Sequence, residues 1–230
     1  MRTIGLLGGM SWESTLLYYR LVNEEVRARL GGLASAKLLL YSVDFAPIAR
    51  MQAEDRWDEA GAVLADAAAA LERGGADFVV LCTNTMHKVA GAIEARVRIP
   101  LLHIVDPTAT AIQARGLRRV GLLATRFTME QPFYADRMRE RFGLDVLVPP
   151  KEDRDLVHRV IYDELCVGRV LEESREEYRR IAEGLVEAGA EGIIFGCTEI
   201  GMLLSPGEMP VPAFDSTVLH ARQAVAVALG

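Results

Sequence analysis

The feature that most constrains this chain is that it says the same thing twice. Gly74-Gly75-Ala76-Asp77-Phe78-Val79-Val80-Leu81-Cys82-Thr83-Asn84 returns as Gly189-Ala190-Glu191-Gly192-Ile193-Ile194-Phe195-Gly196-Cys197-Thr198-Glu199. Each copy is an apolar run that delivers Cys-Thr and then an amide or carboxylate residue. Ile4-Gly5-Leu6-Leu7-Gly8 is echoed by Val120-Gly121-Leu122-Leu123-Ala124, and Pro100, Asp106 and Thr108 by Pro210, Asp215 and Thr217. Three matches in one order imply a duplicated unit, with one cysteine at an equivalent strand end in each half. Two such thiols aimed at one crevice suit chemistry that acts from opposite sides.

The pattern between the echoes is α/β. Short apolar runs are expected as strands at 3–8, 37–43, 77–81, 99–105, 119–124, 144–148, 191–196 and 211–214. Helical periodicity is expected over 14–30, 56–73, 86–96, 129–142, 153–166 and 172–188, with a last helix capped by Asp215. Asp106-Pro107 reads as an N-cap followed by Pro at the first helical position. Alternating strands and helices predict parallel sheets covered on both faces. The expected architecture is two pseudo-symmetric parallel-sheet α/β domains, residues 1–98 with 214–230 and residues 99–213, with the active site in the crevice between them. Ligands of such sheets bind beyond the carboxyl ends of the strands, where Gly8-Gly9, Cys82, Ala124-Thr125 and Cys197 fall.

Composition removes several function classes. Net charge is −6 and aromatic residues are 7% of the chain, so no basic, stacking surface for nucleic acid is expected. No apolar stretch is long enough to span a membrane, and a cytoplasmic protein is expected. Three cysteines are an odd count and read as free thiols. The three lysines (37, 88, 151) lack a phosphate-binding context for a pyridoxal Schiff base. The histidines (87, 103, 158, 220) and cysteines lack metal-ligand spacing. Chemistry without metal or cofactor is expected.

The candidate catalytic pair is Cys82 and Cys197. Each is read between a strand end and a helix start, where N–H groups and the helix dipole favour thiolate. One thiol can take a proton from a carbon while the other returns one to the opposite face. Thr83, Asn84, Thr85, Thr198 and Glu199 follow the cysteines and can hold the carboxylate and amine of an amino acid, although the same residue types cap helices. Thr125 occupies the corresponding strand end in the second half. Glu199, in place of the amide of Asn84, can accept from a substrate ammonium. Gly9 and Met10 lie in a turn where backbone can approach a small anion. Arg50, after the second strand, can clamp a carboxylate. Cys166 has no partner copy and reads as packing, and His87 reads as packing or as a polarising neighbour of Cys82.

These residues resemble the aspartate/glutamate racemase superfamily, in its amino-acid racemase branch. The likeness runs through Ile4-Gly5-Leu6-Leu7-Gly8-Gly9-Met10-Ser11-Trp12-Glu13-Ser14-Thr15, Tyr18-Tyr19, Asp44-Phe45 with Gln52, Cys82-Thr83-Asn84-Thr85-Met86-His87, Tyr162-Asp163-Glu164-Leu165-Cys166 with Gly168, and Gly196-Cys197-Thr198-Glu199. The resemblance implies a two-domain α/β fold and racemization of an amino acid without pyridoxal phosphate. It implies Cys82 and Cys197 as the two acid/base residues, commonly in a homodimer. Dedicated aspartate racemases carry an Arg and a Lys near the side-chain carboxylate. Arg50 resembles the Arg. The region of the Lys reads Tyr162-Asp163-Glu164, which points to a different or broader amino acid. Within the same fold, two-cysteine members isomerise maleate, racemise hydantoins or decarboxylate malonates. A thiol redox protein and a non-catalytic amino-acid sensor are the readings from other classes, and the absence of Cys-x-x-Cys weighs against the former.

Overall fold

A computed structural model describes all 230 residues. The chain forms two compact units, Met1–His103 with His220–Gly230, and Ile104–Leu219. These borders fall slightly C-terminal of the expected 98/99 and 213/214.

The first unit runs β1 (Ile4–Gly8), α1 (Trp12–Leu30), β2 (Leu38–Ser42), α2 (Phe45–Ala53), α3 (Trp57–Arg73), β3 (Phe78–Leu81), a 3-10 turn over Thr85–Val89, α4 (Ala90–Arg96) and β4 (Leu101–Leu102). The second runs α5 (Val105–Gln113), β5 (Arg119–Ala124), α6 (Arg126–Glu130), α7 (Pro132–Phe142), β6 (Asp145–Leu147), α8 (Lys151–Asp163), a 3-10 turn over Leu165–Val167, α9 (Glu172–Glu187), β7 (Gly192–Gly196), α10 (Ile200–Leu203), a 3-10 turn over Pro206–Glu208 and β8 (Ala213–Asp215). The closing helix α11 (Ser216–Leu229) begins in the second unit, and from His220 onward it belongs to the first.

Each unit holds one four-stranded, all-parallel sheet, in the orders β2-β1-β3-β4 and β6-β5-β7-β8. The repeat is therefore a repeat of topology. In the first unit, Ile4, Leu6, Phe78 and Val80 pack on Tyr18, Val22 and Val26 of α1 and on Ala221, Ala224 and Val225 of α11. In the second, Leu122, Ile194 and Phe195 anchor a core that Tyr134, Val157, Tyr178 and Ile181 complete.

Several expected elements differ for local reasons. The helix expected over 129–142 is two helices. Pro132 forces Gln131 into an extended conformation (φ −92°, ψ 145°), so α6 stops and α7 starts on the proline. Asp106 does not cap α5. The helix starts at Val105, and the Asp106 carboxylate takes a bidentate pair from Arg137 at 2.6 and 2.7 Å. Its repeat partner Asp215 does cap, accepting from the N–H groups of Thr217 and Val218 at 2.9 and 3.1 Å. Helix α2 was not expected. Asp44 starts it by accepting from Ala46 N–H at 3.1 Å, and Pro47 is tolerated because it falls in the first turn.

Candidate functional site

In both sheets the strand order reverses beside the first strand, at β1/β3 in one unit and β5/β7 in the other. Such switch points open a crevice at the carboxyl ends of the strands. Gly8–Ser11 and Cys82–Thr85 flank the first. Thr125 and Cys197–Glu199 flank the second.

At the first switch point, Gly9 has φ +96°, and a Cβ there would meet Val43 O at 2.3 Å. Its N–H donates to Thr15 Oγ1 at 2.7 Å, and that hydroxyl also reaches Ser11 O at 2.9 Å. The Gly9 N–H expected to meet an anion is thus already engaged by helix α1. Met10 is buried, and Ser11 caps α1 by accepting from Ser14 N–H at 3.3 Å. Cys82 is the first residue after β3, with no exposed surface. Its N–H continues the ladder to Leu7 O at 2.9 Å, and its thiol donates to Val80 O at 3.6 Å. Thr83, Asn84 and Thr85 are buried beside it, and Gln52 Nε2 lies 2.9 Å from Met86 Sδ. Arg50 is exposed in the last turn of α2.

At the second switch point, Thr125 caps α6, its Oγ1 accepting from Thr128 N–H at 3.3 Å. Cys197 is the first residue after β7 and is 7% exposed. Its thiol donates to Glu199 Oε2 at 3.0 Å, the Thr198 hydroxyl donates to the same oxygen, and Cys166 Sγ lies 3.7 Å from Glu199 Oε1. Glu199 is 2% exposed. The carboxylate expected to receive a substrate ammonium is held by three donors of its own unit. Cys166, expected to be packing, is one of them. Its place in the Leu165–Val167 turn, far from Glu199 in sequence, is why the primary structure hid this contact.

The two cysteines are also one step out of strict equivalence. Leu7 pairs with Leu81 and Ala124 with Gly196, so Gly196 is the register counterpart of Cys82. Strand β7 runs one residue longer before releasing its cysteine. Both thiols lie beyond the last paired residue, where the turn and not the pleat sets their direction.

Neither thiol is acidified, contrary to expectation. Burial pushes the Cys82 thiol far above its ordinary range. Burial, and then the charge of Glu199, does the same to Cys197. The reason is one of magnitude. A helix terminus contributes about 0.3–1 kcal/mol, whereas desolvation can shift a buried group by roughly 3–5 pKa units. The dipoles are also short: a 3-10 turn follows Cys82, and α10 has four residues. Tyr162 and Tyr178 carry the same imprint, raised first by burial, with the nearby Glu199 carboxylate adding to it. No cluster of three His, Cys, Asp or Glu side chains is arranged to hold a metal ion, and no helix is long and apolar enough to cross a membrane.

The family profile described as "Asp/Glu/Hydantoin racemase" matches residues 7–224. A glutamate racemase of Pseudomonas paraeruginosa is 30% identical over 211 residues, 89% of this chain and 74% of the relative. The broad specificity amino-acid racemase RacX of Bacillus subtilis is 22% identical over 98% of both chains. Among solved structures, an aspartate racemase homologue from Pyrococcus horikoshii is 35% identical with a TM-score of 0.86 over the full length of both chains. A candidate Asp/Glu racemase from Yersinia pestis is 51% identical with a TM-score of 0.92, again over both full lengths. Arylmalonate decarboxylase, at 16% identity and a TM-score of 0.61, shares the fold.

Proposed function

The chain belongs to the Asp/Glu/hydantoin racemase family, and from that premise we propose that it is a cofactor-independent racemase of a free amino acid, of the aspartate/glutamate type or of broader range. Cys82 and Cys197 are the two acid/base residues, acting on opposite faces of one Cα. The relatives that carry racemase names support the reaction class. The observation that carries the mechanism is the placing of one buried thiol at the switch point of each sheet, each with its own polar surroundings.

Those surroundings support different resting roles for the two thiols. Cys197 donates to a carboxylate, so its proton has somewhere to go: the thiol yields H⁺ to Glu199 and becomes the thiolate that takes Cα–H. Cys82 donates to a carbonyl, which cannot take the proton, so it stays a thiol and gives its proton to the carbanion from the other side. That turn leaves Cys82 as the thiolate, with Cys197 and Glu199 both protonated; this form takes Cα–H from the opposite enantiomer, and proton exchange with solvent returns it to the resting form. Each acid/base step contributes about 10²–10⁴-fold, and fixed geometry about Cα supplies much of the remainder. Thr83, Asn84, Thr85, Thr125 and Thr198 are the polar groups around the substrate, Gly9 and Met10 border it, and Arg50 is the cation for its carboxylate. A homodimer is the expected assembly.

The test follows Cα–H exchange in D₂O by NMR, with chiral analysis, across the common amino acids as single enantiomers. Wild-type protein should invert at least one of them and place deuterium in the product. Cys82→Ser and Cys197→Ser should each abolish inversion. Undiminished interconversion by either variant ends the two-thiol scheme.

A further inference from the structure

Behind the Cys82–Asn84 turn, the first unit gathers three of the chain's four histidines, all buried: His87, His103 and His220. The ring centroids of His87 and His103 are 4.5 Å apart, and those of His87 and His220 5.9 Å. Two proton positions follow from the partners. A carbonyl can only accept, so the 2.7 Å contact of His87 Nδ1 with Thr83 O requires the hydrogen on Nδ1. Likewise His220 Nε2 donates to Leu102 O at 2.8 Å, and its Nδ1, in the neutral ring, accepts from the Tyr18 hydroxyl at 2.8 Å.

The turn that carries Cys82 has no α-helix to hold it. Thr83 N–H closes back on Leu81 O at 2.9 Å, and the following 3-10 segment contributes His87 N–H to Asn84 O at 3.1 Å. His87 therefore grips consecutive residues of this turn, Thr83 through its ring and Asn84 through its backbone. The ring is in turn packed against His103, next to the Leu102 carbonyl that His220 holds. Strand β4, helix α11 and, through Tyr18, helix α1 thus converge on the residue that ties down the Cys82 turn.

We propose that His87 is a positioning residue for Cys82: its Nδ1–H, anchored on the Thr83 carbonyl and braced by the buried imidazoles, sets the direction of the thiol. This rests on the racemase reading above. His87 does not touch the reacting atoms in this scheme, and its effect passes through the Thr83 peptide.

The two nitrogens of the ring can be separated by substitution. Asn carries its amide nitrogen close to where Nδ1 sits, whereas Gln carries one close to Nε2. His87→Gln should lower kcat by about 10²-fold with KM changed less than about threefold, the scale expected when a reacting group is displaced by about 1 Å. His87→Asn should recover most of kcat. The same pair is read without turnover by iodoacetamide labelling and peptide mass spectrometry. The rate at Cys82 should shift severalfold in His87→Gln and return in His87→Asn, while Cys197 stays at its wild-type rate. If both variants fold poorly, long-range ¹H–¹⁵N spectra of the wild-type protein decide, because the proposal requires the Nδ1–H form of His87.

Wild-type kcat in His87→Gln, equal loss in both variants, or the Nε2–H tautomer overturns the proposal. If wild-type protein inverts no amino acid while Cys82 labelling still follows the Gln/Asn pattern, the racemase reading falls and the positioning of Cys82 by His87 stands.

Discussion

The thiol of Cys197 donates to Oε2 of Glu199 across 3.0 Å, inside a site where the carboxylate is 2% exposed. Cys82 has no such carboxylate partner, since its thiol points to the Val80 carbonyl. A pseudo-symmetric fold thus surrounds its two strand-end thiols asymmetrically.

Glu199→Gln preserves the shape of the side chain but cannot take the proton of Cys197. Steady-state kinetics should show kcat lower by at least about 10²-fold, the lower range for loss of one acid/base step, with a smaller change in KM. Removing the carboxylate charge should also lower the pH at which Cys197 is alkylated, because that charge helps hold the thiol neutral. Wild-type turnover in Glu199→Gln would remove the carboxylate from the mechanism.

Alkaline stability should be poor. Cys82, Cys197, Tyr134, Tyr162 and Tyr178 are all raised, in each case first by burial. Groups whose folded pKa exceeds the unfolded value contribute stability that is complete below the unfolded pKa and lost as pH rises above it. With unfolded values of about 8.5 for Cys and about 10 for Tyr, Tm should fall progressively from about pH 8.5 upward, and more steeply past about pH 10. Absorbance at 295 nm should show at least three of the six tyrosines ionising only as the protein unfolds. A Tm flat to pH 11 contradicts this.

Gly9→Ala should be severely destabilising. The residue sits at φ +96°, and a Cβ would meet the Val43 backbone at 2.3 and 2.6 Å, where neither atom can swing away. A strained backbone conformation costs about 1–3 kcal/mol, and overpacking adds about 1–3 kcal/mol. Chemical denaturation should report a loss of about 3 kcal/mol or more, or no soluble protein. Gly207→Ala, with nothing within 4 Å of its Cβ, is the tolerant control.

The Asp106–Arg137 pair has good bidentate geometry but is open to solvent on both sides, at 37% and 24% side-chain exposure respectively. Asp106→Asn should therefore cost less than about 1 kcal/mol, and the loss should shrink at high salt. Urea denaturation at low and high salt checks both points.

The extent of the sequence reading follows the range of the forces involved. Strand β5 falls on the expected 119–124 because an apolar run bounded by turn residues has a local signature. Pro132 carries a local signal as well, since the residue before a proline leaves the helical region, but the single helix expected over 129–142 passed over it. The shortness of α10 and of β4, two residues against an expected seven, was not legible. Such lengths depend on where neighbouring elements must start.

By itself, the sequence determined the duplication, the parallel α/β class and the location of both cysteines at strand ends, because periodicity and repeated motifs are written in neighbouring residues. Only the tertiary structure decided the state of those thiols and the company they keep. Desolvation overwhelms the helix dipole by an amount that depends on every atom packed around the sulfur. Cys166 meets Glu199, and His87 meets His103, only because distant segments of each unit fold onto one sheet end.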